Sequence, residues 1–235
     1  MTTTGSSPRP TRPQHPTANP GRGRAALKQQ RAVRTRNQVL EAAAQAFAAK
    51  GFPAVTILDV AEITGMTKGA VYFHYSNKEA LALAVAEEFY RRLPEIADSV
   101  LRMDLSPLES VSELLIQTAL AFREDIMIQA GARLQIERSL IDADMPVPFI
   151  GYNHLVASWL KEAKGIGQLE PGADPDAIAR VLISAFFGAQ HISWVLSDRV
   201  DLPERVEQIV SVVIPRQKPE GAANMSAAPS SSSTR

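Results

Sequence analysis

The sequence predicts an all-α chain: a three-helix N-terminal head carrying a helix-turn-helix, followed by a larger helical body. Three features predict it. Apolar residues recur at helical spacing through most of residues 27–215, and no convincing period-two stretch interrupts them. Aromatic side chains are only 6% of the chain while Ala, Leu, Val and Ile are plentiful, a balance that favours helices over strands. Helix-capping pairs recur, with Thr56 three residues before Asp59 and Ser76 three before Glu79.

The elements follow in order. Residues 1–26 are rich in Pro, Thr, Ser, Gly and Arg and nearly free of large apolar side chains, so they are expected to be a disordered tail. Its arginines (Arg9, Arg12, Arg22, Arg24) attract phosphates without folding. The first helix carries Val33, Val39, Leu40, Ala43 and Phe47 and stops at Gly51. Two short helices come next, and the head is expected to end at residue 78. The body, 79–215, opens with a long helix from Asn77 to about Leu101, bent or interrupted near Pro94. Further helices are expected at 107–122, 125–141, 149–164, 174–197 and 203–214, with breaks at 142–148 (Pro146, Pro148) and 165–174. Residues 216–235 form a second disordered tail by composition.

The formal net charge of zero conceals an asymmetry. Residues 1–78 carry eleven Lys or Arg against three acids (Glu41, Asp59, Glu62), whereas 79–235 carry fourteen against twenty-two. A basic head on an acidic body suits a polyanion reader joined to a part that should avoid DNA. The chain has no cysteine, which removes disulfides, thiolate catalysis and Cys-ligated metals, and fits a cytoplasmic setting. No apolar run of about 18 residues is evident, so no membrane partner is expected.

Residues 56–81, TILDVAEITGMTKGAVYFHYSNKEAL, concentrate the chemistry of the head. Ile57, Val60 and Ala61 face inward from a helix over 57–63, Gly65 supplies positive φ in the turn, and Met66 fills the gap between helices. Thr67 caps the next helix, whose N-terminal amides and partial positive charge suit a phosphate. Lys68 in its first turn opposes the helix dipole, and Gly69 costs about 1 kcal/mol against Ala. Contact with DNA explains both better than stability does. Gly69 and Ala70 let backbone and methyl approach base edges. Tyr72 and His74 are placed to bond phosphates, Lys78 adds a cation, and Arg34 and Arg36 of the first helix reach toward the adjacent backbone. Val71, Phe73 and Tyr75 are expected to anchor the helix to the core.

With those residues in place, residues 31–100 resemble the DNA-binding domain of the TetR family of transcriptional repressors. The resemblance is carried by Phe47, Gly51 and Phe52 at the end of helix 1, by Thr56 with Asp59, Val60 and Ala61, by the run from Gly65 through Met66 to Tyr75, and by Lys78 to Leu81. It implies a TetR-like homodimer that binds palindromic double-stranded operator DNA and leaves it when a small molecule enters the body. It carries DNA contact over to Thr56, Thr67, Lys68, Gly69, Ala70, Tyr72, His74 and Lys78.

In the body, the run Gln129, Ala130, Gly131, Ala132, Arg133, Leu134, Gln135, then Glu137 and Arg138, and later Phe187 to His191, is similar to the γ-butyrolactone-type autoregulator receptors. With Phe89, Tyr90 and the Pro146-Val147-Pro148-Phe149 break, the chain is similar to the furan-responsive form of that subclass over nearly all of residues 31–210. Butyrolactone receptors usually carry a tryptophan on the helix after the break. Here Tyr152 stands in that place and Trp159 follows two turns later, which leaves room for a furan or butenolide. The resemblance implies a repressor of antibiotic or secondary-metabolite production, with a pseudo-receptor or efflux-type repressor of a lipophilic compound as the alternative.

A ligand pocket among these helices needs apolar walls and a few polar anchors. Tyr90, Gln135 and Tyr152 are candidate anchors; Phe89, Leu134, Phe149, Trp159, Phe186 and Phe187 are candidate walls. A buried Gln135 amide requires a partner, either another helix or a ligand carboxylate or lactone carbonyl. Residues 174–197 and 203–214, with small Ser184, Ala185, Gly188 and Ala189, are expected to form the dimer bundle. Nothing points to catalysis or a cofactor: there is no G-x-S-x-G, no phosphate-binding glycine loop, and His154 and His191 lack an i,i+4 metal partner.

Overall fold

In a computed structural model of the chain, residues 20–147 and 149–215 are described, with side chains from residue 28 onward. Met1 to Asn19 and the 216–235 tail, including Arg9 and Arg12, lie outside the described residues. Nine α-helices make up the described chain: α1 Pro20–Lys50, α2 Ile57–Thr64, α3 Lys68–His74, α4 Lys78–Leu101, α5 Pro107–Glu124, α6 Ile126–Ile136, α7 Ile150–Gly165, α8 Pro175–Ser197 and α9 Leu202–Val213. A single 3-10 turn, Arg138–Leu140, follows α6.

Each expected helix is present within a few residues of its expected bounds, with four differences. α1 begins at Pro20, so residues 20–26, expected in the tail, are helical. Elongating an existing helix adds a hydrogen bond for each residue fixed, and proline suits a first helical position. The expected helix over 125–141 ends at Ile136, and the 3-10 turn takes up the remainder. α4 passes through Pro94 without interruption, although Pro94 has no N–H to give the Tyr90 carbonyl one turn back. Its cap is Asn77, whose side chain accepts from the Ala80 N–H at 2.7 Å, rather than Ser76. The helix starts one residue later than the Ser76–Glu79 pair implies, and Asn caps as well as Ser.

Two compact units divide within α1, after Gln38. In the first, Val33 is exposed. In the second, two hydrophobic clusters form. One gathers Val39, Ala43 and Phe47 of α1 with Val60, Val71, Tyr75, and Leu81 and Val85 of α4, and is completed by Met127, Ala130 and Leu134 of α6. The other gathers Phe89, Leu93 and Val100 of α4 with α5, α7, α8 and α9. The cores therefore do not separate at residue 78, where the head was expected to end. The first two turns of α4 and one face of α6 complete the reader's core, because its short helices present too little apolar area to close one alone. α4 and α6 pack closely on each other, and both helices are shared by the two cores.

By length and average composition alone, α8 is long and apolar enough to cross a membrane. The run is broken by Arg180, Gln190 and His191, which an uninterrupted apolar count excludes, and α8 packs against α7 and α9.

Candidate DNA reader and ligand cavity

The reader is built by local hydrogen bonding. Thr56 caps α2 reciprocally: its hydroxyl accepts from the Asp59 N–H, and its own N–H donates to the Asp59 carboxylate at 2.7 Å. Asp59 also pairs with Lys50, and these bonds hold its carboxyl far below the usual carboxylate range. α2 ends in a Schellman motif. Gly65 sits at φ 67°, its N–H donates to the Glu62 carbonyl at 3.2 Å, and the Met66 N–H donates to the Ala61 carbonyl at 3.0 Å. Met66, half-buried, packs onto the reader's core as its position in the sequence implies. Thr67 caps α3 by accepting from the Ala70 N–H at 3.2 Å.

α3 buries Val71 and rests on buried Tyr75 just past its end, one turn later on the same face. Phe73, expected to anchor the helix, is instead 82% exposed. It lies two residues from each anchor, about 200° around the helix, so it faces outward. Thr56, Thr67, Lys68, Gly69 and Tyr72 are exposed, and Ala70 and His74 are half-buried. Lys68 lies over the Tyr72 ring at 5.7 Å, and the Phe73 and His74 rings meet edge-on. A Cβ at Gly69 would meet nothing closer than the Thr67 hydroxyl at 3.9 Å, so the protein itself does not require glycine there. Lys78 is already engaged: its ammonium donates to the Phe52 carbonyl at 2.9 Å and sits 4.2 Å from the centre of the Phe52 ring. Two further N–H groups of that ammonium remain for a phosphate. Arg36 is exposed on the N-terminal unit's part of α1.

In the body, α4, α5, α6, α7 and α8 enclose a cavity of about 420 Å³, within the range of small-molecule sites. Tyr90, Gln135, Phe149, Tyr152 and Phe186 all line it. Trp159 does not line it; two turns beyond Tyr152 on α7, it is buried within the body's core. Leu134 does not either, because it is about 100° around α6 from Gln135 and is buried in the reader's core. Sequence reasoning missed Phe122, Thr118 and Asp98. A threonine on the otherwise apolar stripe of Leu114, Leu115, Ala119 and Phe122 was the available signal for Thr118.

The cavity's polarity is concentrated in a few groups. Gln135 is 8% exposed and neither its Oε1 nor its Nε2 has a hydrogen-bond partner. Each such orphan costs about 1–3 kcal/mol. Burial pushes the Tyr90 hydroxyl up to about 12, partly opposed by the Arg138 charge, so it stays a neutral donor. Tyr152 is raised further by burial, and its hydroxyl bonds that of Thr118, which in turn donates to the Leu114 carbonyl at 2.7 Å. Around these groups Phe122 packs edge-on against Phe89, Phe186 and Phe187, with ring centres 5.4–6.2 Å apart. Phe149 holds φ 70° at the start of α7 and meets Phe187 at 4.4 Å.

A capped helix pair on one core and a largely apolar cavity on the next, with two helices common to both cores, define a helix-turn-helix protein with room for a small molecule in its body. Residues 39–85 match the family described as bacterial regulatory proteins, tetR family. The A-factor receptor protein of Streptomyces griseus is 31% identical over 209 residues, covering 85% of this chain and 73% of that protein. A solved structure described as the molecular basis for control of antibiotic production by bacterial hormones is 46% identical, with a TM-score of 0.71, covering 79% of this chain and 99% of that one. A crystal structure of a γ-butyrolactone receptor (ArpA-like protein) is 26% identical, with a TM-score of 0.62, covering 78% of this chain and 97% of that one. The chain belongs to the TetR family of transcriptional regulators.

Proposed function

We propose that the protein is a homodimeric repressor that holds a palindromic operator through α3 and releases it when a small autoregulator of the furan, butenolide or γ-butyrolactone type enters the cavity. The observation that carries the ligand half is the Gln135 amide, buried in the cavity wall with donor and acceptor both unpaired. A molecule offering an acceptor beside a donor, as a carboxyl or a hydroxyl next to a carbonyl does, satisfies both atoms at once. The neutral Tyr90 hydroxyl supplies a second directional bond, and the aromatic wall takes an alkyl chain. The likeness to the A-factor receptor and to the γ-butyrolactone receptor structure supports the same class of effector. Its target genes on this reading are those of antibiotic or secondary-metabolite production.

The reader half rests on the outward face of α3. Lys68, Gly69, Ala70, Tyr72 and His74 take the groove and its phosphates, Thr56 and Thr67 add hydroxyls at two helix N-termini, and Lys78 and Arg36 add cations. A dimer places two such helices at one DNA turn, about 34–36 Å, or a multiple of it. The ligand acts through a higher affinity for the body shape in which that spacing is lost.

Two substitutions test the reader. Lys68→Ala should weaken binding about equally across sequences and lower the salt slope by about 1, the signature of one lost phosphate contact. Gly69→Ala should raise thermal stability, since it recovers about 1 kcal/mol of helix propensity. It should also weaken operator binding by about tenfold or more, through a methyl forced into a close contact. Anisotropy titration with salt and thermal melting read both. An operator affinity unchanged by both substitutions rules out α3 as the groove helix. An enlarged response to bulky aromatic compounds with none to small furans or butenolides would favour a pseudo-receptor or efflux-type repressor.

A further inference from the structure

The turn that launches the reader is held from both sides at one residue. The Phe52 carbonyl accepts from Lys78 at the start of α4, and the Phe52 N–H donates to the Glu137 carboxylate, just past α6, at 2.6 Å. Arg133, one turn earlier on α6, donates to the Ala48 carbonyl in the last turn of α1 at 2.9 Å and to Glu137 at 3.1 Å. The approach is close enough that a side chain at Gly51 would displace the tips of Arg133 and Glu137. A Cβ there would lie 2.7 Å from Arg133 Nη2, and the residue already holds φ 77°. The Arg133 guanidinium also lies over the Trp194 ring at 5.1 Å, and buried Arg199 lies over that ring at 4.9 Å. Arg133 and Glu137 are both largely buried, at 19% and 18% side-chain exposure, so this is an enclosed, directional grip.

The same short helix carries Gln135 into the cavity, two residues from each member of that grip. It is also wedged against α4. Gly131 lies so close to Phe89, another cavity-lining residue, that a Cβ would fall 2.5 Å from Phe89 Cγ. α6 can therefore yield to an occupant of the cavity by little except moving as a unit, and the same end that carries Gln135 is fastened to the end of α1 and to Phe52.

We propose that Arg133 and Glu137 are positioning residues that convert cavity occupancy at Gln135 and Phe89 into displacement of the reader, by gripping Ala48 and Phe52 from the end of α6. This rests on the reading of the protein as a ligand-released repressor and names the residues that transmit the release. A purely structural pair would stabilise the fold without deciding whether events on the α4–α6 seam reach the DNA.

The test is a double-mutant cycle that needs no ligand. Gly131→Ala drives a methyl into the α4–α6 seam and stands in for an occupant; Phe89→Trp enlarges the other side of that contact and replaces it if Gly131→Ala does not fold. Arg133→Met with Glu137→Ala removes the grip, taking both charges together so that neither is left buried and unpaired. Operator affinity is measured with a palindromic duplex selected from random DNA by the full-length wild-type protein, after thermal melting confirms each variant is folded. The seam substitution is expected to weaken operator binding at least about tenfold with the grip present and less than about threefold without it, a coupling of the size usual between linked sites. Equal losses in both backgrounds overturn the proposal. A second arm adds a 2-alkylfuran-3-carboxylic acid to the wild-type complex. If this probe fails to release DNA while the cycle shows coupling, the furan reading is overturned and the grip stands. If it releases the wild type and the grip-free variant alike, the grip is overturned and the ligand reading stands.

Discussion

Phe122→Ala is expected to lower the free energy of unfolding by about 3–5 kcal/mol, the largest single loss anticipated for this chain. Phe122 is fully buried and is the hub of an aromatic cluster, meeting Phe89, Phe186 and Phe187 edge-on. Each such pair adds about 0.5–1.5 kcal/mol beyond the area it buries. Truncation would also join a new void to the existing cavity, so the walls could collapse only by moving α4 toward α8. Chemical denaturation at fixed protein concentration reads the loss, because the stability of the proposed dimer would depend on protomer concentration. A loss under about 1 kcal/mol would show that the cluster is not the keystone its geometry implies.

Gln135→Leu is expected to move two properties in opposite directions. Leucine has nearly the shape of glutamine but no polar atom, so the ligand-free protein should gain about 1–3 kcal/mol once the unpaired amide is gone. Effector binding should fall by about 10–100-fold, since two hydrogen bonds to the ligand are lost. Denaturation of the ligand-free protein and calorimetric titration of a furan carboxylic acid separate the two effects. Loss of stability in the ligand-free protein would mean that the amide already has a structural partner. Unchanged effector affinity would mean that the cavity's polar anchor lies elsewhere.

How much of this was legible in the sequence depends on how local the signal is. The reader's caps and turn were legible almost residue by residue, because Thr56 with Asp59, Gly65 and Thr67 act through hydrogen bonds that span three to five residues. Phe73 was misjudged for a related reason: in a seven-residue helix an aromatic is read as an anchor by type, whereas the angular offset from Val71 and Tyr75 decides. Seven of the nine expected cavity residues line the cavity; Trp159 and Leu134 fail because burial in a packed core and exposure to a void look alike in periodicity. The contact of Glu137 with Phe52 joins residues 85 positions apart, and no spacing rule reaches that far. The same holds for the shared cores, since the membership of α6 in the reader's core comes from tertiary packing of Met127, Ala130 and Leu134.

On the proposed function, one molecule in the cavity and one operator on α3 compete through the protein's shape. Reciprocity gives its most direct test: the probe should loosen the operator by the same factor that the operator loosens the probe. Titrating a 2-alkylfuran-3-carboxylic acid into the preformed protein–operator complex, followed by anisotropy, is expected to release the DNA as the cavity fills. The factor should match the one found when the DNA-bound and DNA-free protein are compared by calorimetry. A complex that persists while calorimetry shows the probe bound would mean that the cavity and the reader are not coupled.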